Sequence, residues 1–176
     1  MKNLFLLILT VATFSSCKKA NELSKFDINY STKFTVPFTA GLGAPFNIYS
    51  PTVSSDSESK FQINSTEASK VESISLKTLK LTLLSPTGSN LGFVESVELY
   101  IKADGIDEEK IAWKTGVSST VGTKLSLDVS GSNLKPYITS KEFQLRARTI
   151  IDEVITSDHE INVDATFEVD AKLFGS

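Results

Sequence analysis

Residues 161–173, INVDATFEVDAKL, carry an apolar side chain at every odd position and a polar one at every even position. Successive side chains of a strand point to opposite faces, so this period predicts a long strand with one buried and one solvated face. Residues 143–151 repeat the period. If the two strands pair as a hairpin through residues 152–158, Arg146 and Arg148 lie near Asp164 on a solvated outer face, with Glu168 farther along it.

The same alternation predicts most of the remaining strands. Residues 26–38 are apolar at even positions, and residues 72–85 alternate with a change of parity near Lys77-Thr78 that indicates a bulge. Residues 93–102 and 110–114 favour a hairpin across residues 103–107. Further short strands are expected at residues 60–63 and 125–129, and residues 39–56 are expected to be loop with one short strand at most.

Helical signals are few. Asn64 followed three places later by Glu67 fits a capping box, so at most one short helix is expected near residues 64–71. Eight or so strands with polar outer faces predict an all-β fold, an antiparallel β-sandwich of immunoglobulin-like or related type. A closed barrel is the alternative, because periodicity does not count sheet edges.

The N-terminus has the composition of an export signal. Lys2 precedes the apolar run LFLLILTVA at residues 4–12, and small residues lead into Cys17, the only cysteine of the chain. The run is too short to span a bilayer, which needs ~20 apolar residues.

Phe14-Ser15-Ser16-Cys17 resembles the lipobox of bacterial lipoproteins, with Phe14 where Leu is usual. The resemblance implies cleavage before Cys17, several acyl chains on that cysteine and stable membrane attachment. Lys18, in place of an acidic residue, implies the outer membrane, on either its periplasmic or its surface side. An ordinary secretory signal is the alternative, and both place the mature chain outside the cytoplasm. The expected organisation is a signal peptide at 1–16, a lipidated cysteine with flexible tether at 17–25, and a single β-sandwich domain at 26–176.

The net charge and the types of residue present argue against several functions. The formal net charge is −3, without the positive field that nucleic acid binding requires. His159 is the sole histidine and is expected at a surface turn, so no catalytic triad or zinc site is expected. Acidic turns at residues 104–109 and 56–58 lack the pattern of a calcium loop. We therefore expect no enzyme activity, no cofactor and no metal.

Aromatic side chains remain as candidates for binding. Phe46 and Tyr49 are the predicted ligand-binding residues because they fall in a predicted loop, and Tyr137 and Trp113 are weaker candidates. Trp113 lies in a hairpin strand, which favours a core position. The whole resembles small uncharacterised β-sandwich lipoproteins of Gram-negative envelopes. We expect a non-catalytic module for interaction with, or assembly of, another envelope protein. A glycan-binding or lipid-binding module that uses loop aromatics is the alternative, and a hydrolase is less favoured.

Overall fold

A computed structural model describes residues 25–172. The predicted signal peptide, Cys17 and the tether as far as residue 24 lie outside the described residues. Nine strands follow one another as β1 (Lys25–Val36), β2 (Phe46–Tyr49), β3 (Val53–Ser54), β4 (Val71–Ser85), β5 (Val94–Ala103), β6 (Ile106–Thr115), β7 (Lys124–Val129), β8 (Glu142–Ile151) and β9 (His159–Ala171). Two short helices, α1 (Ser57–Ile63) and α2 (Lys135–Ile138), and a 3-10 turn at Ala68–Lys70 complete the fold.

The strands form two antiparallel layers joined by one strand. Sheet A has the order β1-β9-β4-β7, and sheet B has the order β6-β5-β8-β2 with β3 also on β8. Strand β7 pairs with β4 through residues 124–127 and with β6 through Asp128 and Val129, so the sheet curls from one layer into the other. The predicted all-β antiparallel sandwich is confirmed. A closed barrel would need hydrogen bonds between β1 and β2, the two ends of the strand order. Within residues 25–172 these two strands are not paired.

The core consists of the alternate side chains that the sequence period selects. Ile161, Val163 and Phe167 of β9 are buried, as are the even-numbered apolar residues of β1 from Ile28 to Val36. Burial of one such side chain contributes ~1.5–3 kcal/mol. Tyr30 packs edge-on against Phe167 with ring centres 5.8 Å apart, and its hydroxyl donates to a backbone carbonyl. The same burial raises the pKa of Tyr30.

Two local predictions are confirmed in detail. Strand β4 changes register between Leu76 and Thr78, where the parity change indicated a bulge. The β5–β6 hairpin turns on Asp104-Gly105, and Gly105 has the positive φ of 69° that such a turn requires.

The predicted pairing of the last two strands is wrong. Strand β8 lies in sheet B beside β5, whereas β9 lies in sheet A between β1 and β4, so residues 152–158 cross from one layer to the other. Asp164 therefore lies opposite Ser31, which donates a 2.9 Å hydrogen bond to it. Arg146 pairs with Glu108 of β6, and Arg148 pairs with Glu98 of β5. The alternation fixed the buried face of each strand but carried no information on its neighbour.

The helix prediction is also displaced. The helix is Ser57–Ile63, in place of the short strand expected at 60–63, and only the 3-10 turn lies within the predicted range 64–71. Phe61 is fully buried and fixes α1 on the core. Asn64 ends this helix, because its side-chain amide donates a 2.8 Å hydrogen bond to the carbonyl of Lys60. The residue interpreted as an N-terminal cap thus caps a C-terminus.

Candidate binding face

The outer face of sheet B carries two parallel rows of side chains across four strands. Direct register partners form the first row from β2 to β6, which is Tyr49, Arg146, Tyr100 and Lys110. The second row, one pleat away, is Asn47, Arg148, Glu98 and Trp113. We call these eight residues the aromatic face. Neighbouring strands lie ~4.8 Å apart, so each row extends for about 14 Å.

Arg146 organises the first row. Its guanidinium donates to both oxygens of Glu108, from Nε at 2.8 Å and Nη2 at 2.5 Å, and from Nη1 to Asn47 Oδ1 at 2.6 Å. The same group lies 4.1 Å from the centre of the Tyr100 ring. The hydrogen bond from Arg146 is the main cause that lowers the pKa of Glu108. A fork of this kind fixes both partners in one geometry, so this part of the face is rigid before any ligand arrives.

Glu98 links the two rows. It accepts a 2.9 Å hydrogen bond from the Tyr100 hydroxyl, which is the main cause that lowers its pKa. Two cations share the same carboxylate at longer range, Lys110 at 3.3 Å and Arg148 at 3.4 Å. Both side chains are about half exposed, at 45% and 48%. The centre of the face thus presents two cations to one carboxylate.

The outer face of sheet A is built differently. Its charges form simple pairs, such as Lys33 with Glu160 at 2.5 Å and Lys77 with Asp27 at 2.8 Å. The outward positions of its described strands hold Lys, Asp, Glu, Ser, Thr and Asn, with Leu84 as the exposed apolar exception. None of these outward residues is aromatic. The concentration of Tyr, Trp and Arg therefore distinguishes the outer face of sheet B as the candidate binding face.

A polar cleft of about 570 Å³ adjoins the aromatic face at the turn of the β5–β6 hairpin. Its lining includes Lys102, Gln144 and the carboxylates of Asp104, Asp107 and Glu142. Lys102 and Gln144 are register partners, one pleat beyond the first row. The cleft thus bounds the face with an excess of negative charge.

The two predicted ligand-binding residues lie on opposite sides of strand β2. Tyr49 is 59% exposed and belongs to the aromatic face. Phe46 has the opposite parity and packs against the core beside Thr149, its register partner. A ligand on the aromatic face therefore meets Tyr49 and not Phe46.

The core position expected for Trp113 is wrong. Strand β6 has an extra residue at Ile111, since Ala112 lies opposite Leu99 while Lys110 lies opposite Tyr100. Ile111 and Ala112 are both buried, and Trp113 emerges half-buried on the outer face with the Lys110 ammonium 5.4 Å from its ring centre. Tyr137, the other weaker candidate, is buried in α2 and donates a 2.7 Å hydrogen bond to the carbonyl of Asp107.

His159 and Glu108 of the acidic turn both make contacts within the fold. The expected surface position of His159 is wrong, because the side chain is buried at the start of β9 against the Phe93 ring, with ring centres 4.7 Å apart. Its Nδ1 lies 2.9 Å from the carbonyl of Ser157. In the turn at residues 104–109, Glu108 is engaged by Arg146. Among residues 25–172 no cluster of three or more His, Cys, Asp or Glu side chains is placed to hold a metal ion.

Sequence reasoning missed most of the aromatic face. Glu98, Tyr100, Arg146 and Arg148 stand two apart on β5 and β8, so their outward parity was readable. Their proximity to Tyr49 and Lys110 was not, since it depends on which strands are neighbours.

Comparisons with known proteins give no family. No protein-family model matches the chain, and no curated protein matches it. Solved structures with low similarity include a carbohydrate-binding module from Clostridium perfringens in complex with GalNAc-β-1,3-galactose, at 12% identity over 82% of this chain and 97% of that one, with a TM-score of 0.34. Another carbohydrate-binding module of the β-sandwich superfamily covers 88% of this chain and 58% of its own length at 12% identity and a TM-score of 0.31. A chain of Desmodium yellow mottle tymovirus matches over 86% of this chain and 91% of its own length, at 17% identity and a TM-score of 0.31. Scores this low carry no argument about function.

Proposed function

We propose that the chain is a non-catalytic, lipid-anchored envelope protein whose sandwich is an interaction module, with the aromatic face as its docking surface. One observation carries the proposal. Tyr49, Tyr100 and Trp113 lie across four neighbouring strands around an Arg146 that is held in place by Glu108.

The composition of the face supports docking. Tyr, Trp and Arg are the residues that most often dominate binding energy at interfaces. Their arrangement lowers the cost of ordering side chains on binding, because the Arg146 side chain is only 16% exposed and already fixed by three hydrogen bonds.

The carboxylates on and beside the face support a non-catalytic role. A general acid needs a pKa near the working pH. Hydrogen bonds from Tyr100 and Arg146 lower the pKa values of Glu98 and Glu108 instead, which keeps both groups ionised and paired at neutral pH. Their contacts position neighbouring side chains.

The short spacing between Cys17 and the first strand is compatible with an anchor. Cys17 precedes Lys25, the first residue of β1, by eight positions, so a lipid on Cys17 would hold β1 within ~28 Å of a bilayer. Residues 25–172 contain no helix with the length and hydrophobicity needed to cross a bilayer. A clickable fatty acid should label the wild type, and persistent labelling of Cys17→Ser would refute the anchor.

Site-specific photocrosslinking in intact cells tests the docking surface. A benzophenone amino acid at position 49 should give an adduct with the docked molecule, because Tyr49 lies on the aromatic face. The control is the same group at position 35, since Thr35 is exposed on the outer face of sheet A. Adducts of equal yield from both positions, or an adduct from position 35 alone, would contradict the proposal.

Glycan binding is the second candidate. It is favoured by the hydrogen-bonding groups Asn47, Arg148 and Glu98, which form one row with the Trp113 ring at its end. The structure gives no such support to lipid binding between the sheets. The apolar cavity lined by Phe34, Leu81 and Leu99 measures about 20 Å³, which is space for about one water molecule and far less than an acyl chain needs.

A further inference from the structure

We propose that the aromatic face binds an acidic polysaccharide, with sugar rings against Tyr49 and Trp113 and sugar carboxylates at Arg148 and Lys110. The inference rests on the proposed docking surface and names the chemistry of its partner.

Charge on the face favours an anionic ligand. Three basic side chains lie on it against one acidic side chain on it and one beside it, although the whole chain is net negative; these are Arg146, Arg148 and Lys110 against Glu98 and Glu108. Lys114 and Asp128, at the margin beyond Trp113, pair with each other at 3.4 Å and leave that balance unchanged.

The two cations at the centre of the face are not fully balanced by Glu98. Arg148 and Lys110 contact Glu98 at 3.4 and 3.3 Å, which is long for charge-assisted hydrogen bonds, and one carboxylate balances only one of the two cations. Arg146 is different, because bonds of 2.5 to 2.8 Å already engage all three of its nitrogens with Glu108 and Asn47. An incoming anion would therefore be received by Arg148 and Lys110.

The distribution of apolar surface favours a sugar over a protein. The centre of a stable protein interface is depleted of Lys and Glu, whereas at the centre of this face Glu98 and its two cations lie beside Tyr100. The aromatic rings at the opposite ends, Tyr49 on β2 and Trp113 on β6, stand three strands apart. A sugar ring offers an apolar face for such a ring and hydroxyl groups for Asn47 and Glu98.

The neighbouring cleft limits where an acidic chain could lie. Asp104, Asp107 and Glu142 line it, so it repels a polyanion from that end. The ligand is thereby confined to the two rows, and neutral sugars lose the contribution of the central cations.

Isothermal titration of the lipid-free Cys17→Ser protein tests the inference. The probes are polygalacturonate and the same polymer with its carboxylates methyl-esterified, so that the sugar backbone stays the same while the charge is removed. We expect binding to polygalacturonate that weakens by about tenfold or more on esterification, and that also weakens as salt rises.

Paired variants locate the site. Arg148→Gln combined with Lys110→Gln should weaken polygalacturonate binding by about tenfold or more. The control, Lys33→Gln combined with Lys77→Gln, removes the same charge from the outer face of sheet A and should leave binding unchanged. Circular dichroism and unfolding curves establish that all variants fold. Trp113→Ala should weaken binding to both polymers.

Three outcomes would overturn the inference. Equal binding to both polymers would indicate a neutral glycan site, and equal loss in the sheet A control would indicate diffuse charge attraction. Absence of binding to polygalacturonate, alginate and hyaluronan alike would exclude acidic glycans. If a protein adduct still formed at position 49, the docking surface would stand with a different partner, and if none formed, both proposals would fall.

Discussion

Replacement of Arg146 by Met should measure how strongly the aromatic face is preorganised. The substitution keeps the aliphatic packing of the side chain and removes the guanidinium. It deletes the two-bond contact to Glu108, the 2.6 Å bond to Asn47 and the cation above the Tyr100 ring. Glu108 then remains beside the sheet without its partner.

The expected cost follows from the exposure of the pair. An exposed ion pair contributes ~0.2–1 kcal/mol, and breaking a fully buried one costs ~3–5 kcal/mol. The side chains of Arg146 and Glu108 are 16% and 29% exposed, which places the pair between these limits. We expect Arg146→Met to lower the free energy of unfolding by about 2 kcal/mol, and the melting temperature by about 4–8 °C for a domain of this size.

Arg148→Met is the matched control. It removes the same group from the same face of β8, but that guanidinium is 48% exposed and contacts Glu98 at 3.4 Å. Urea unfolding should show a loss of about 0.5 kcal/mol or less. Combining Arg146→Met with Glu108→Gln should give a coupling energy of about 1 kcal/mol or more. Equal losses in the two methionine variants, or no coupling, would refute the rigid fork.

Three further predictions concern the scaffold and its pH dependence. The pKa of Glu108 is lowered in the folded state, so ionised Glu108 stabilises the fold fully above its ordinary pKa of 4.5, and this contribution declines as pH falls through the lower folded pKa. Glu108→Gln should therefore make the free energy of unfolding less dependent on pH below 4.5. Phe61→Ala should cost ~3–5 kcal/mol in urea unfolding, because Phe61 is fully buried, whereas the exposed Phe38→Ala should cost less than ~0.5 kcal/mol; equal costs would refute the role of Phe61 as an anchor of α1. Gly92→Ala places a Cβ 2.3 Å from the carbonyl oxygen of Ser119 and should lower the melting temperature with a cost of ~1–3 kcal/mol, while Gly122→Ala meets nothing within 4 Å and should not; the reverse order would contradict the packing there.

Strand periodicity predicted the elements better than it predicted their neighbours. The long strands, the bulge in β4 and the turn at Gly105 are local features, and each has a direct signature in the side-chain period or in a turn residue. The helix was displaced because Asn64 is equally suited to either end of a helix, and the buried side chain of Phe61 decided between them.

The aromatic face depends on information that the local sequence does not carry. Arg146 and Asn47 stand 99 residues apart in the chain, and they meet because β2 and β8 are neighbours. Trp113 was misplaced because a single extra residue, Ile111, reverses the parity of β6. One residue of bulge thus moves a large aromatic side chain from the core to the surface.

Hydroxyl-radical footprinting of the protein in intact cells and after purification tests most directly whether the aromatic face is the docking surface. Tyr49 and Trp113 report on that face, and the exposed Leu84 and Phe38 report on the outer face of sheet A and on the loop after β1. We expect oxidation of Tyr49 and Trp113 to fall in cells relative to the purified protein, while oxidation of Leu84 and Phe38 stays the same. Unchanged oxidation of Tyr49 and Trp113, or protection of Leu84 in their place, would contradict the proposed docking surface.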